Sequence, residues 1–209
     1  MIRSSTSTED ASMRFTTRSA VSASMALVVV GVATADIVYD EAVDGELSDL
    51  GSDPTFIEFG AGVNNVLFVT DPGSDRDIFT FTIAEGYELA GLVVDEFDTN
   101  NDANLAFISI TPGSSLPYDP DDPDTEQMLG YALFDENYVG SDIFLEMGTA
   151  FGTIGYDGPL GPGSYTIWAQ ENGPSVDTWN LGFVVNQVPA PGAIAVFGLA
   201  GLAARRRRD

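Results

Sequence analysis

The 209-residue chain contains no cysteine, no histidine and no lysine. The lack of cysteine excludes disulfide bonds and Cys-His catalysis, and the lack of histidine excludes a Ser-His-Asp triad. Without lysine, neither Ser-Lys catalysis nor Schiff-base chemistry is available. Zinc would have to rely on carboxylates alone, which are not its usual ligands. These absences favour a non-catalytic protein and leave open a glycan hydrolase, which needs only two carboxylates.

Basic residues are scarce in the centre of the chain. Between residues 36 and 187 there are 29 acidic side chains and a single basic one, Arg76, so this segment has a formal charge of −28. Nucleic-acid binding is excluded, because phosphate neutralisation requires Lys and Arg. A saline medium or bound divalent cations would relieve the self-repulsion. The segment is rich in Phe, Tyr, Val and Ile, so we expect one folded acidic domain over 36–187.

A long apolar run is also missing, but a shorter one lies near the start of the chain. We predict a secretory signal peptide within a leader at 1–35, with Met13 as the initiator. Its parts are the basic residues Arg14 and Arg18, the apolar segment 20–32 and the cleavage motif Ala33-Thr34-Ala35. The apolar segment is too short for a transmembrane helix of about 20 residues. Cleavage after Ala35 would make Asp36 the mature N-terminus and implies export.

The end of the chain has three parts in order: a short Pro-containing segment, an apolar segment at 192–204 and four arginines. Basic residues beside an apolar segment stay on the cytoplasmic side of a membrane. The apolar segment is mostly Gly and Ala and is shorter than a spanning helix, so it suits a transiently inserted export intermediate. The arginines are Arg205, Arg206, Arg207 and Arg208.

This three-part tail resembles the PEP-CTERM sorting signal of Gram-negative bacteria, and the resemblance covers residues 188–209. Val188, Pro189 and Pro191 match a Val-Pro-Glu-Pro-like motif, whereas Ala190 stands where the family usually has Glu. The resemblance implies recognition and removal by an exosortase-type enzyme in the inner membrane. The protein would then reach the cell surface or the extracellular space. The alternative is an ordinary C-terminal membrane anchor.

Short alternating segments between Gly/Pro turns dominate residues 36–187, and no helical periodicity is present. In one of them Phe79, Phe81 and Ile83 point to one face. Strands are predicted at 65–70, 77–83, 88–95, 105–110, 130–134, 143–147, 165–169 and 179–185, and a loop at 111–126. We therefore predict an all-β fold, an antiparallel β-sandwich of about eight or nine strands. A signal peptide and a short C-terminal apolar helix would flank it.

Four motifs resemble, in their order, those of the bacterial pre-peptidase C-terminal domain. They are S-D-R-D-I-F-T-F-T-I at 74–83, D-A-N-L at 102–105, L-G-P-G-S-Y-T-I at 160–167 and W-N-L-G-F at 179–183. The resemblance covers 74–185, although Trp179 replaces the usual Tyr and an acidic insertion occupies 118–126. It implies a jelly-roll-like β-sandwich. Such domains accompany secreted enzymes, and some bind calcium, polysaccharide or fibrous protein, so the implied role is accessory.

A calcium site is predicted on the Asx-rich segment 95–104. Calcium takes six to eight oxygen ligands, and alternate positions on one loop can converge on a single ion. The candidate ligands are Asp98, Asn100, Asp102 and Asn104. Ala103 and Ser109 stand where an EF-hand has Gly and Glu, so this is not an EF-hand. The alternative is a turn whose side chains cap their own backbone.

The two tryptophans could together form an aromatic platform for a sugar. We favour instead an outward-facing Trp168, as the candidate ligand-binding residue, and a core Trp179. The expected function is that of an exported, non-catalytic β-sandwich protein of the cell surface or extracellular matrix, associated with polysaccharide and stabilised by calcium. The alternative is a secreted carboxylate-based glycan hydrolase. An exposed face at Trp168 would favour binding, and a cleft with two convergent carboxylates would favour hydrolysis.

Overall fold

The computed structural model of the protein describes residues 35–73, 75–100 and 105–189. Within these residues the chain is mostly β-structure with a few helical turns. The strands are β1 (Ala35–Asp40), β2 (Thr55–Phe56), β3 (Gly62–Thr70), β4 (Arg76–Ile83), β5 (Tyr87–Thr99), β6 (Ala106–Pro112), β7 (Gly130–Phe134), β8 (Gly163–Gln170) and β9 (Asp177–Gln187). The helical turns are α1 (Glu41–Asp44), α2 (Phe144–Met147) and the 3-10 turns Thr125–Gln127 and Glu136–Tyr138.

The strands form two sheets, with the orders β1-β3-β9-β5 and β2-β4-β8-β6-β7. One core cluster takes buried side chains from both sheets, so the two sheets pack as a sandwich, and the all-β prediction is confirmed at this level. The antiparallel prediction is only partly right. The inner pairs are antiparallel, but β1 runs parallel to β3 and β2 runs parallel to β4. The chain alternates between the sheets from β1 to β4, so these pairs are joined by crossovers rather than hairpins.

The core is built from alternate residues of the long strands. Phe79, Phe81 and Ile83 of β4 are buried in it, as the alternation predicts. On β9 the core-facing side chains are Trp179, Leu181, Phe183 and Val185, which confirms a core position for Trp179. The rings of Phe79 and Phe183 meet edge to face across the sandwich, with centroids 5.8 Å apart.

The strand prediction at 143–147 is wrong, because this segment forms α2. The backbone N–H of Met147 donates to the carbonyl oxygen of Ile143 at 3.0 Å, and the Asp142 carboxylate accepts the N–H of Phe144 at 2.9 Å. Phe144 and Met147 are both buried, since residues three apart share one face of a helix. A short apolar run fits a buried strand or a buried helical turn equally well.

Several terminal residues singled out above lie outside the described residues. These are Ala33, Pro191 and the arginines Arg205, Arg206, Arg207 and Arg208, with the apolar segments 20–32 and 192–204. Ala35 is the first residue of β1, and Val188 and Pro189 follow β9 as exposed residues. In the part of the chain that the structure describes, no helix is long and apolar enough to cross a membrane.

Candidate functional site

The outer face of the β7-β6-β8 part of the second sheet carries an aromatic cluster. On β8, Ile167 and Ala169 point into the sandwich core, so Trp168 between them points to the opposite face. The rings of Phe107 and Trp168 lie edge to face with centroids 4.7 Å apart, and Tyr131 stacks on Phe107 at 6.1 Å. The face predicted for Trp168 is therefore the one observed.

This face is covered by a loop of residues 113–124, which we call the acidic loop. Leu116, Tyr118 and the adjacent Met128 pack against Trp168, whose side chain is only 2% exposed. Trp168 is thus not a flat exposed platform. The sequence shows the outward register of Trp168 but not the loop above it, because the loop and Trp168 are more than 40 residues apart in the chain.

The acidic loop is fastened at three places. The hydroxyls of Thr111 and Tyr118 are hydrogen-bonded at 2.9 Å, and the N–H of Leu116 donates to the carbonyl oxygen of Gly51 at 2.8 Å. The guanidinium of Arg76 forms an ion pair with the Asp121 carboxylate. The single basic residue of the 36–187 segment therefore binds the loop to β4.

Between the acidic loop and the sheet lies an aromatic groove of about 530 Å³. Its lining residues are Leu105, Phe107, Pro120, Pro123, Thr125, Met128, Tyr131, Leu133, Trp168, Gln170 and Asn172. Within the described residues, no charged side chain lines it. At one end the amide of Gln170 donates to the side-chain oxygen of Asn172 at 3.2 Å, and Asn172 donates to the Leu105 carbonyl oxygen at 3.2 Å. The groove thus combines apolar walls with two oriented amides.

A second feature lies where the segment after β1 meets β4. Carboxylate oxygens of Glu41, Glu46 and Asp77 all lie within 4.8 Å of one another. The Glu41 carboxylate accepts the backbone N–H of Leu47 at 3.1 Å and that of Val69 at 2.8 Å, which fixes its position. Glu46 is exposed and Asp77 is buried, so the cluster extends from the surface to the edge of the core. We call these three residues the acidic cluster.

Burial dominates the protonation of the acidic cluster. Desolvation, reinforced by the negative charges of Glu41, Asp75, Glu46 and Asp49, raises the pKa of Asp77 to about 9. Desolvation and a hydrogen bond with Glu41 raise the pKa of Glu46 to about 7. Without a cation, Asp77 is therefore protonated at neutral pH, and Glu46 is close to half-protonated. The sequence analysis did not predict this cluster. The one signal in the sequence was the alternation that places Asp77 on the same strand face as the apolar residues Phe79 and Phe81.

A third group is a buried acid pair. Asp177 is fully buried, and desolvation together with a hydrogen bond to the Glu171 carboxylate raises its pKa to about 6. In the sheet register Asp177 lies opposite Thr99, at the end of β5. Asp177 therefore lies opposite a residue of the segment predicted to bind calcium.

The predicted calcium ligands are only partly described. Asp98 and Asn100 are exposed at the end of β5, whereas Asp102 and Asn104 lie outside the described residues. Calcium binding by these four residues stays a prediction. The described residues do bring three carboxylates together in the acidic cluster, which joins residues 36 positions apart in the chain.

Comparison with known proteins returns no relative: no family model, no curated protein and no solved structure matches the chain.

Proposed function

We propose that the chain is an exported, non-catalytic β-sandwich protein of the cell surface or extracellular matrix. It would associate with uncharged polysaccharide through the aromatic groove. Its fold would be jelly-roll-like, as in the pre-peptidase C-terminal domains that it resembles. A signal peptide would direct export, and an exosortase-type enzyme would process the tail after transient insertion of its apolar helix in the inner membrane.

The observation that carries this proposal is the uncharged lining of the groove. The 36–187 segment holds 29 acidic residues, yet none of them is among the described residues that line it. Apolar ring faces such as those of Phe107 and Tyr131 suit the C–H faces of a sugar, and oriented amides suit its hydroxyls. A polyanionic glycan would be repelled by the net charge, so the ligand class is a neutral one.

The alternative is a secreted carboxylate-based glycan hydrolase, which requires two carboxyl groups facing the substrate about 5 to 9.5 Å apart. No carboxylate within the described part of the chain lines the aromatic groove. The nearby Asp177 and Glu171 are hydrogen-bonded to each other and buried, so they offer no space for a sugar between them. These features support the binding function.

The test is a titration of the purified protein with a soluble neutral glucan and, separately, with a polyuronate. We expect saturable binding of the neutral chain alone. Tyr131→Ala removes one ring of the groove, which corresponds to an affinity loss of about ten-fold if the ring contributes about 1.4 kcal/mol. Phe56→Ala is the matched control, because Phe56 is 63% exposed on β2 and is not among the residues of the groove.

Release of new reducing ends from the glucan during incubation would establish the hydrolase instead. Equal affinity of Tyr131→Ala and wild type would place any sugar binding outside the groove. Tighter binding of the polyuronate would contradict the choice of a neutral ligand.

A further inference from the structure

We propose that Glu41, Glu46 and Asp77 bind one calcium ion, which joins the segment after β1 to the sandwich. This inference goes beyond the proposed function and does not depend on the aromatic groove. It also places the ion at residues other than the predicted ligands on 95–104.

The starting point is the position of Asp77 on β4. Residues of this strand alternate without a bulge, so Asp77 faces the same side as the core residues Phe79 and Phe81. Its side chain is 0% exposed, and within the described residues neither carboxylate oxygen has a hydrogen-bond partner. Carboxylates are almost never fully buried unless they are paired or coordinate a metal. Asp77 can therefore stay in this position only if it is protonated or binds a cation.

Arg76 is the only basic side chain in the part of the chain that the structure describes, and it does not pair with Asp77. Arg76 is the neighbour of Asp77 in the chain, but successive residues of a strand point to opposite faces. Its guanidinium pairs instead with Asp121 of the acidic loop. The charged groups that act most strongly on Asp77 are the carboxylates Glu41, Asp75, Glu46 and Asp49, and all of them are negative.

The geometry of the acidic cluster suits calcium. Ca–O distances of about 2.3 to 2.6 Å place oxygens on opposite sides of the ion about 5 Å apart. The three carboxylates meet this limit, because their oxygens lie within 4.8 Å of one another. All donors are hard oxygens, and the chain has no Cys or His to favour zinc. Each of the three residues offers one carboxylate oxygen, and water can complete the coordination shell on the side of the exposed Glu46.

An ion here would connect three parts of the fold. Glu41 and Glu46 belong to the segment that follows β1, and Asp77 belongs to β4 in the second sheet. Glu41 is also hydrogen-bonded to Val69 of β3 in the first sheet. Without a cation, carboxyl groups crowd at this junction with no positive partner among them. Calcium is therefore expected to slow local opening of residues 35–47 more than that of the sandwich interior.

The experiment measures calcium binding to the full-length protein by isothermal titration calorimetry after chelator treatment, with NaCl holding ionic strength constant. We expect one saturable site with a Kd on the order of 10⁻⁴ to 10⁻³ M, the range of extracellular calcium modules. The key variant is Asp77→Asn. Its amide has nearly the same shape as the carboxyl group but carries no negative charge and only one oxygen, so the metal-free fold should be retained while calcium affinity falls at least about ten-fold.

Glu46→Gln provides the second variant, because Glu46 is exposed and its replacement does not disturb the core. Asp157→Asn is the matched control, since it removes one exposed carboxylate elsewhere and should leave the Kd unchanged. Hydrogen exchange with and without calcium should show added protection at residues 35–47 in the wild type and none in Asp77→Asn.

Each result decides the question. Loss of affinity in Asp77→Asn and Glu46→Gln, but not in Asp157→Asn, supports the site. Wild-type affinity in both cluster variants would overturn the proposal. Loss of affinity in Asp98→Asn, but not in the cluster variants, would place the ion on the Asx-rich segment instead. Absence of a saturable site in the wild type at 10-fold the upper Kd, about 10 mM, overturns it as well. Should Asp77→Asn fail to fold, Glu46→Gln carries the test.

Discussion

The indole N–H of Trp179 donates a 2.9 Å hydrogen bond to the hydroxyl oxygen of Thr70. Both side chains are buried in the sandwich, on the neighbouring strands β9 and β3. Trp179 also stacks on Phe68, with ring centroids 5.1 Å apart. The strand that closes the fold is therefore tied to β3 by a polar contact within an aromatic core, and this contact is directly testable.

Thr70→Val keeps the shape of the side chain and removes the acceptor. We expect the free energy of unfolding to fall by about 1 to 3 kcal/mol, because the buried indole N–H then lacks a partner. Urea unfolding followed by tryptophan fluorescence measures the change. Thr178→Val is the control, since Thr178 is exposed on β9 and its replacement should change stability by about 0.5 kcal/mol or less. Equal effects of the two variants would contradict a role for the hydrogen bond.

The acid pair predicts a pH dependence of stability. Desolvation and the hydrogen bond with Glu171 raise the pKa of Asp177 to about 6, from an ordinary value of 3.8. The folded state thus holds this proton more tightly than the unfolded chain. Its contribution is complete below about pH 4 and is lost as the pH rises through about 6.

Asp177→Asn should therefore flatten the decline in unfolding free energy between about pH 4 and 6, relative to the wild type. Urea titrations across this window measure the difference between the two proteins. Asp157→Asn, which removes an exposed carboxylate, should keep the wild-type slope. A wild-type slope in Asp177→Asn would show that the pair is not the source of the effect.

The formal charge of −28 between residues 36 and 187 predicts that low salt weakens the fold. Repulsion among like charges is greater in the compact state than in the expanded one, and the Debye length shrinks from about 30 Å at 0.01 M to about 3 Å at 1 M salt. The melting temperature should rise by several degrees over this range of NaCl. The measurement is made with a chelator present, so that screening is separated from calcium binding. A flat profile would contradict the prediction.

The two ends of the chain predict the mass of the protein purified from its native host. Cleavage after Ala35 and removal of the tail beyond about Pro189 would leave a chain that begins at Asp36. Intact-mass and terminal-peptide spectrometry test both ends at once. A secreted form that still contains residues 192–208 would exclude the sorting signal. An intact form found only in membranes would favour the plain anchor.

The local sequence pattern was sufficient to predict which faces of the core strands are buried. The alternation of Phe79, Phe81 and Ile83 on β4, and of Trp179 and its neighbours on β9, is a property of the extended backbone itself. It holds wherever the strand is placed, so the core faces of these strands followed from residue order alone. Composition likewise determined the charge and the absence of histidine, cysteine and lysine chemistry.

The pairing of strands, the covering of Trp168 and the acidic cluster were decided by the tertiary structure. Glu41 and Asp77 are 36 positions apart, and they meet only because the segment after β1 lies against β4. Trp168 is buried by a loop that begins 55 positions earlier, so its outward register could not reveal its exposure. The parallel pairing of β1 with β3, and of β2 with β4, depends on crossovers between the sheets. Contacts between distant segments carry no local periodicity, and only the packed sandwich determines which carboxylates and which rings become neighbours.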